Sequence, residues 1–197
     1  MAGPGDFLRC ACKPPLDNRK LKQTLVVMTI GHSNRPIEKF LELLQAHEVK
    51  RVIDVRTIPR SKHNPQFNKE VLPQSLRAAG IGYRHIKGLG GLRRSKRDSP
   101  NMGWQSPSFR GYADHMQTDE FETSLEKLME LAKEKLPAVM CAEAVPWRCH
   151  RSLIADALTV RGVRVEHITT RTMHHPHKLT PFAKVKGKRI TYPPEPA

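Results

Sequence analysis

Short apolar runs alternate with stretches of helical spacing along most of the chain. Leu25-Val26-Val27-Met28-Thr29-Ile30 is apolar, rich in β-branched residues and closed by Gly31, which predicts a strand. Behind Pro36, the residues Ile37, Phe40, Leu41, Leu43 and Leu44 recur at helical spacing, and proline suits a first turn where no amide donor is needed. Arg51 to Arg56 reads as a second strand, Glu70 to Ala79 as a helix stopped by Gly80, and Ile81 to Ile86 as a third strand. A loop rich in Gly, Ser, Pro and Arg begins at Gly88-Leu89-Gly90-Gly91, longer than most ordinary connections. After it the pattern predicts a long helix over Tyr112 to Glu134, a strand over Pro137 to Met140, a helix through Ser152 to Leu158 and a last strand over Val163 to Ile168. Five strands alternating with four helices predict an α/β fold. The expected architecture is a single three-layer, Rossmann-like domain over residues 25–170, with a mostly parallel sheet of about five strands. Residues 1–24 and 171–197 lack periodicity, are basic and proline-rich, and are expected to be flexible tails.

Composition narrows the class. No apolar stretch of the sequence approaches the roughly 20 residues of a membrane span, and the start lacks the apolar segment of a secretory signal. No membrane partner and a cytoplasmic address are therefore expected. Four cysteines, at positions 10, 12, 141 and 149, are too few and too uneven for a disulfide framework. The net charge of +15 favours polyanionic partners, and it is concentrated: residues 60–110 carry eleven Lys/Arg against two acids, whereas 111–136 carry three against seven.

In open parallel sheets ligands bind beyond the carboxyl ends of the strands, so the residues there are the candidates for chemistry. The first strand ends in Gly31-His32-Ser33, the second in Asp54-Val55-Arg56 with Arg60 following, and the fourth in Cys141-Ala142-Glu143. Pro146 suits a first helical turn, which would set Trp147, Arg148, Cys149, His150 and Arg151 around a helix amino terminus that favours phosphate or carboxylate. On this reading Glu143, Cys149 and Asp54 are catalytic candidates, while His32, Ser33, Arg56, Arg60, Arg148, His150 and Arg151 bind an anionic substrate. The bland alternatives are an internal Asp54–Arg56 ion pair, a helix cap at His32 and Ser33, a packing role for Cys149, and an ionic anchor at Glu143. Cys141, Glu143, Cys149 and His150 have metal-binding side chains, but their spacing matches no paired zinc pattern, so neither metal nor cofactor is expected. Arg93, Arg94, Lys96 and Arg97, followed by Trp104, Phe109 and Tyr112, form a basic cluster with interleaved aromatics suited to nucleic acid.

Taken in order, TIGHSNR, IDVRTIPRSKHNPQFN, GYRHIKGLGG, FRGYADHMQT and CAEAVPWRCHRSLIADAL closely resemble the bacterial and archaeal family called domain of unknown function 488. The resemblance runs from about Thr29 to Ile168 and falls on Gly31, His32 and Ser33, on Asp54, Val55 and Arg56, and on Cys141, Glu143, Cys149, His150 and Arg151. It implies the domain limits and the choice of residues, but supplies no reaction. The resemblance also implies relatives that lack the two cysteines, which favours glutamate and arginine chemistry. IDVR is similar to a strand end of rhodanese-type sulfurtransferases, and Cys141 to Arg148 resembles a cysteine phosphatase loop, though one residue longer and interrupted by proline.

Three functions compete on these residues. The leading one is an enzyme acting on a phosphate-bearing substrate, a nucleotide or nucleic acid, at the carboxyl edge of the sheet. The second is a non-catalytic nucleic-acid-binding module. The third is a thiol- or metal-dependent protein using Cys141 and Cys149. A shared pocket for Glu143, Arg56 and Cys149 would favour the first.

Overall fold

The computed structural model describes residues 24–194. The expected N-terminal tail, with Cys10 and Cys12, lies almost wholly outside them. The central sheet contains five parallel strands: β1 (Val26–Gly31), β2 (Arg51–Asp54), β3 (Gly82–His85), β4 (Pro137–Cys141) and β5 (Arg164–Ile168). A sixth, β6 (His174–Pro176), pairs antiparallel with β5, giving the order β3-β2-β4-β1-β5-β6. Such a sheet is buried on both faces, and side chains alternate between them. Val27, Ile53, Val139 and Val165 pack into one apolar cluster with α4 (Asp119–Glu134) and α5 (Arg151–Val160). Met28, Val52, Ala138 and Met140 pack into another with α1 (Ile37–Ala46) and α2 (Leu72–Ala78). The α/β class and the layered arrangement are those the hydrophobic pattern predicts. Among the described residues, no helix is long and apolar enough to cross a membrane.

Two elements depart from expectation. The single helix predicted over Tyr112 to Glu134 is two, α3 (Pro107–His115) and α4. The first stops at His115 with Met116 as its C-cap, and Thr118 caps the second, its hydroxyl accepting from the Phe121 amide; Asp119, Glu120 and Glu122 follow in the first turn where acidic groups complement the helix dipole. Apolar spacing continues across the break because α3 and α4 face the same core, so periodicity alone does not reveal it.

The segment after residue 170 is also not a loose tail as far as Pro194. Beyond β6, the strands β7 (Lys184–Lys186) and β8 (Arg189–Thr191) form a hairpin, and Ile190 and Tyr192 are buried in the cluster beneath α4 and α5. Asp156 of α5 is fully buried and holds this segment: it accepts from His177 Nε2 at 2.8 Å, the Thr180 hydroxyl at 2.7 Å and the Tyr192 hydroxyl at 2.8 Å. His177 Nδ1 then lies 3.0 Å from His167 Nε2, and His167 Nδ1 lies 2.7 Å from the Thr29 hydroxyl. The carboxylate can only accept, so His177 Nε2 donates to it. Burial pushes the His167 pKa down to about 4.

Candidate functional site

β1, β2 and β4 end side by side, and the loops leaving them pack tightly. Gly31 is required there, because a Cβ on it would lie 1.9 Å from the Glu143 carbonyl oxygen. His32 and Ser33 donate their amides to Cys141 O and Ala142 O, so the first loop continues the β1–β4 ladder for two more residues. Neither residue caps α1, whose N-cap is Pro36. Ser33, with φ of 51°, forms the turn. His32 is buried and stacked on Phe67 at 4.2 Å; its Nδ1 donates to Ser33 O and its Nε2 accepts from Arg56. Burial lowers its pKa to about 4. A neutral, fully bonded imidazole supports the loop and offers an anion nothing.

Asp54 and Arg56 form the internal pair that was the bland reading. Asp54 is 0% exposed and accepts from Arg56 Nε at 2.9 Å, Arg56 NH2 at 2.6 Å, the Arg56 amide and the Tyr83 hydroxyl. With no free approach it cannot transfer a substrate proton. Arg56 also donates to Phe67 O and His32, so four of its five N–H groups are committed. It borders the cavity described below with one donor left. Tyr83 is correspondingly hard to ionise, held high by burial and by the Asp54 charge.

The fourth strand supplies the site. Pro146 does not begin α5: Pro146–Arg148 make a separate 3-10 turn, and the helix starts at Arg151. Arg151 turns inward with 1% exposure and donates to the carbonyls of Glu143 and Ala144. It fixes the loop from within and holds no external anion. The turn brings Cys141, Glu143, Arg148, Cys149 and His150 around one cavity of about 360 Å³, which Arg56 also lines, with Ile58, Leu92 and Phe109 among its apolar walls. Glu143 is exposed and its carboxylate accepts from the Val145 amide at 3.0 Å; Arg148 is exposed as well. Cys149 is 4% exposed, with Sγ 3.7 Å from His150 Nδ1; Cys141 Sγ is 3.9 Å from the same nitrogen. Donation from the Cys141 thiol pushes the Cys149 pKa well down, and the Arg151 charge assists. The reciprocal interaction and burial push Cys141 up.

The remaining candidates lie elsewhere. Arg60 makes an exposed pair with Glu70. In the basic loop, Arg94, Lys96 and Arg97 are exposed, but Arg93 is drawn inward: it donates to Gly88 O and Gly90 O and pairs with Glu120. Tyr112 is fully buried with its hydroxyl on Leu89 O, which removes it as a nucleic-acid contact. Trp104 packs between Phe109, Phe182 and Tyr192 and borders a second cavity of about 420 Å³, together with Trp147, His167 and His177. Sequence reasoning missed the cavity walls Thr57, Ile58, Leu92 and Ser108, since an isolated residue in an irregular loop carries no periodic signal. It also missed Asp114, whose carboxylate gathers Ser99, Asn101 and the Lys96 amide and so fixes the long loop.

A layered, mostly parallel sheet with a cavity at the carboxyl ends of its strands defines an α/β protein with a Rossmann-like fold. The chain belongs to the family of the domain of unknown function DUF488, whose model matches residues 36–158. Neither curated proteins nor solved structures gave a significant match to it.

Proposed function

We propose that the protein is an enzyme acting on a phosphate-bearing substrate of nucleotide type, bound in the carboxyl-edge cavity. The observation that carries this reading is the convergence of Glu143, Arg56, Arg148 and Cys149 on one cavity with an apolar wall. At about 360 Å³ the cavity is of a size that small-molecule sites use. Ile58, Leu92 and Phe109 suit the flat apolar face of a base, and Arg148 suits its phosphate. Glu143 is the proton acceptor of this site, because its carboxylate is open to the cavity while Asp54 is sealed.

The test is binding and turnover on a panel of nucleotides, nucleosides and short DNA or RNA. Glu143→Gln keeps the melting temperature and binding but lowers turnover by about 10²–10⁴-fold, the usual contribution of a general base. Arg148→Ala weakens binding about tenfold, near 1.5 kcal/mol, the lower end for a charge-assisted contact. Parental turnover in Glu143→Gln, or no panel member whose binding responds to Arg148, sinks the proposal.

A non-catalytic nucleic-acid module is the second reading, favoured by the exposure of Arg94, Lys96 and Arg97 on a loop whose backbone is fixed by Asp114. It accounts for oligonucleotide binding that survives Glu143→Gln and is never followed by turnover.

A further inference from the structure

We infer that Cys141, Cys149 and His150 form a three-ligand site for a zinc-class divalent ion, with its fourth position open to the carboxyl-edge cavity. The three ligand atoms lie within 4.8 Å of one another, and each sulfur is 3.7–3.9 Å from His150 Nδ1. Tetrahedral zinc, with sulfur at about 2.3 Å and nitrogen at about 2.0–2.1 Å, spaces its ligands by roughly 3.5–3.8 Å. Small movements of the thiols therefore complete the geometry.

Independent features of the surroundings point the same way. His150 Nε2 lies 3.2 Å from Val55 O; a carbonyl only accepts, so Nε2 carries the proton and Nδ1 presents its lone pair to both sulfurs. A backbone carbonyl behind the non-ligating nitrogen is the usual support of a metal-binding histidine. Gly91 backs onto the same imidazole, where a Cβ would lie 2.4 Å from Nδ1, so glycine keeps the space beside the lone pair clear. Two thiolates neutralise a divalent ion, which removes the cost of burying its charge. Two sulfurs and an imidazole select a zinc-class ion over magnesium or calcium, which require oxygen ligands.

All three ligands border the cavity, and a site with three protein ligands is of the catalytic kind, whose fourth position holds water or substrate. The chemistry at that position rests on the reading of Glu143 given above. A metal-bound water gives one proton to the Glu143 carboxylate, and its oxygen forms the new bond to the electrophilic centre of the substrate. The bond to the leaving group breaks with its electron pair, and the leaving group takes the proton from Glu143. The balance is the addition of one water, with no change of oxidation state.

The test uses chelator-treated full-length protein, titrated with zinc against a chromophoric competitor and with cobalt(II) as a spectroscopic stand-in. The expected result is one ion per chain, with thiolate-to-cobalt charge-transfer absorption and intense tetrahedral visible bands. Cys149→Ser and His150→Ala each lower zinc affinity by more than the roughly 10–100-fold that loss of a supporting group costs. Thermal melts show whether these variants fold. The control is C10S/C12S, in which Cys141 and Cys149 are the remaining thiols. It keeps the stoichiometry and the cobalt spectrum, and zinc protects both thiols from alkylation. This measurement stands even if the buried substitutions unfold the chain. Absence of a stoichiometric ion, equal alkylation with and without zinc, or loss of all binding in C10S/C12S overturns the site. No substrate enters these measurements, so failure here leaves the nucleotide reading standing. Intact zinc binding in a chain that binds no member of the nucleotide panel overturns that reading alone.

Discussion

Asp54 shows how a residue with catalytic chemistry becomes structural. Its carboxylate is surrounded by Arg56 and the Tyr83 hydroxyl, and the Arg56 guanidinium runs on to Phe67 O and His32. Asp54→Asn keeps the shape and removes the charge, leaving Arg56 buried and uncompensated. The expected cost is about 3–5 kcal/mol by urea unfolding, the usual effect of breaking a buried pair. Tyr83→Phe, which removes one hydrogen bond, costs about 1 kcal/mol. Equal small losses in both variants would mean that water reaches the pair. Residue types and spacing cannot separate this carboxylate from Glu143, because both follow an apolar strand. The difference is whether a cation within hydrogen-bonding reach also seals the group from solvent.

At the scale of elements, the C-terminal segment carries the clearest consequence. Its sequence is basic, proline-rich and without period, yet Ile190 is 2% and Tyr192 0% exposed, and both belong to the core beneath α4 and α5. A chain ending at Lys178 loses these two anchors and also the Thr180 and Tyr192 donors to Asp156. At about 1.5–3 kcal/mol per buried side chain, the truncation costs roughly 3–6 kcal/mol before the orphaned carboxylate is considered. An unchanged melting temperature would restore the view of a dispensable tail. The break between α3 and α4 is similar in kind: Thr118 is a recognisable cap, but apolar spacing runs through it because both helices face one core. Strands β1 to β5 and helices α1 and α5 were legible because each buries a periodic face.

At the scale of the molecule, charge and pH make two predictions. If Arg94, Lys96 and Arg97 contact phosphates, replacing all three by alanine lowers the slope of log K against log salt for duplex DNA by roughly 2.7, at about 0.9 per contact. Adding Arg93→Ala changes folding stability more than the slope, because its donors are committed to Gly88, Gly90 and Glu120. An unaltered slope in the triple variant excludes the loop. For pH, His32 and His167 are held to about 4 in the folded chain against an ordinary value of 6.5. Between those values the unfolded chain binds more protons, so stability is fully present above about pH 6.5 and is lost as the pH falls towards 4. Each histidine contributes at most about 3 kcal/mol to that loss. His32→Gln and His167→Gln should flatten the acid side of the stability profile, and a profile unchanged by either would show the imidazoles are reached by solvent.

The sequence by itself determined the α/β class, the layered sheet and the strand ends at which polar residues gather, because these follow from periodicity and from chain direction, both local properties. It also marked CAEAVPWRCHR as unusual for a strand end. Only the tertiary structure decided which of the gathered residues face the cavity. Arg151 and Tyr112 were turned into the protein, Arg93 was tied to loop carbonyls, and Glu143 and Arg148 stayed open, outcomes set by neighbours far away in sequence. The same is true of the cysteines. A spacing of eight residues matches no paired ligand pattern, but the 3-10 turn at Pro146–Arg148 folds Cys149 and His150 back over Cys141. Ligand geometry is a matter of distance in space, and the turn supplies it where the spacing does not.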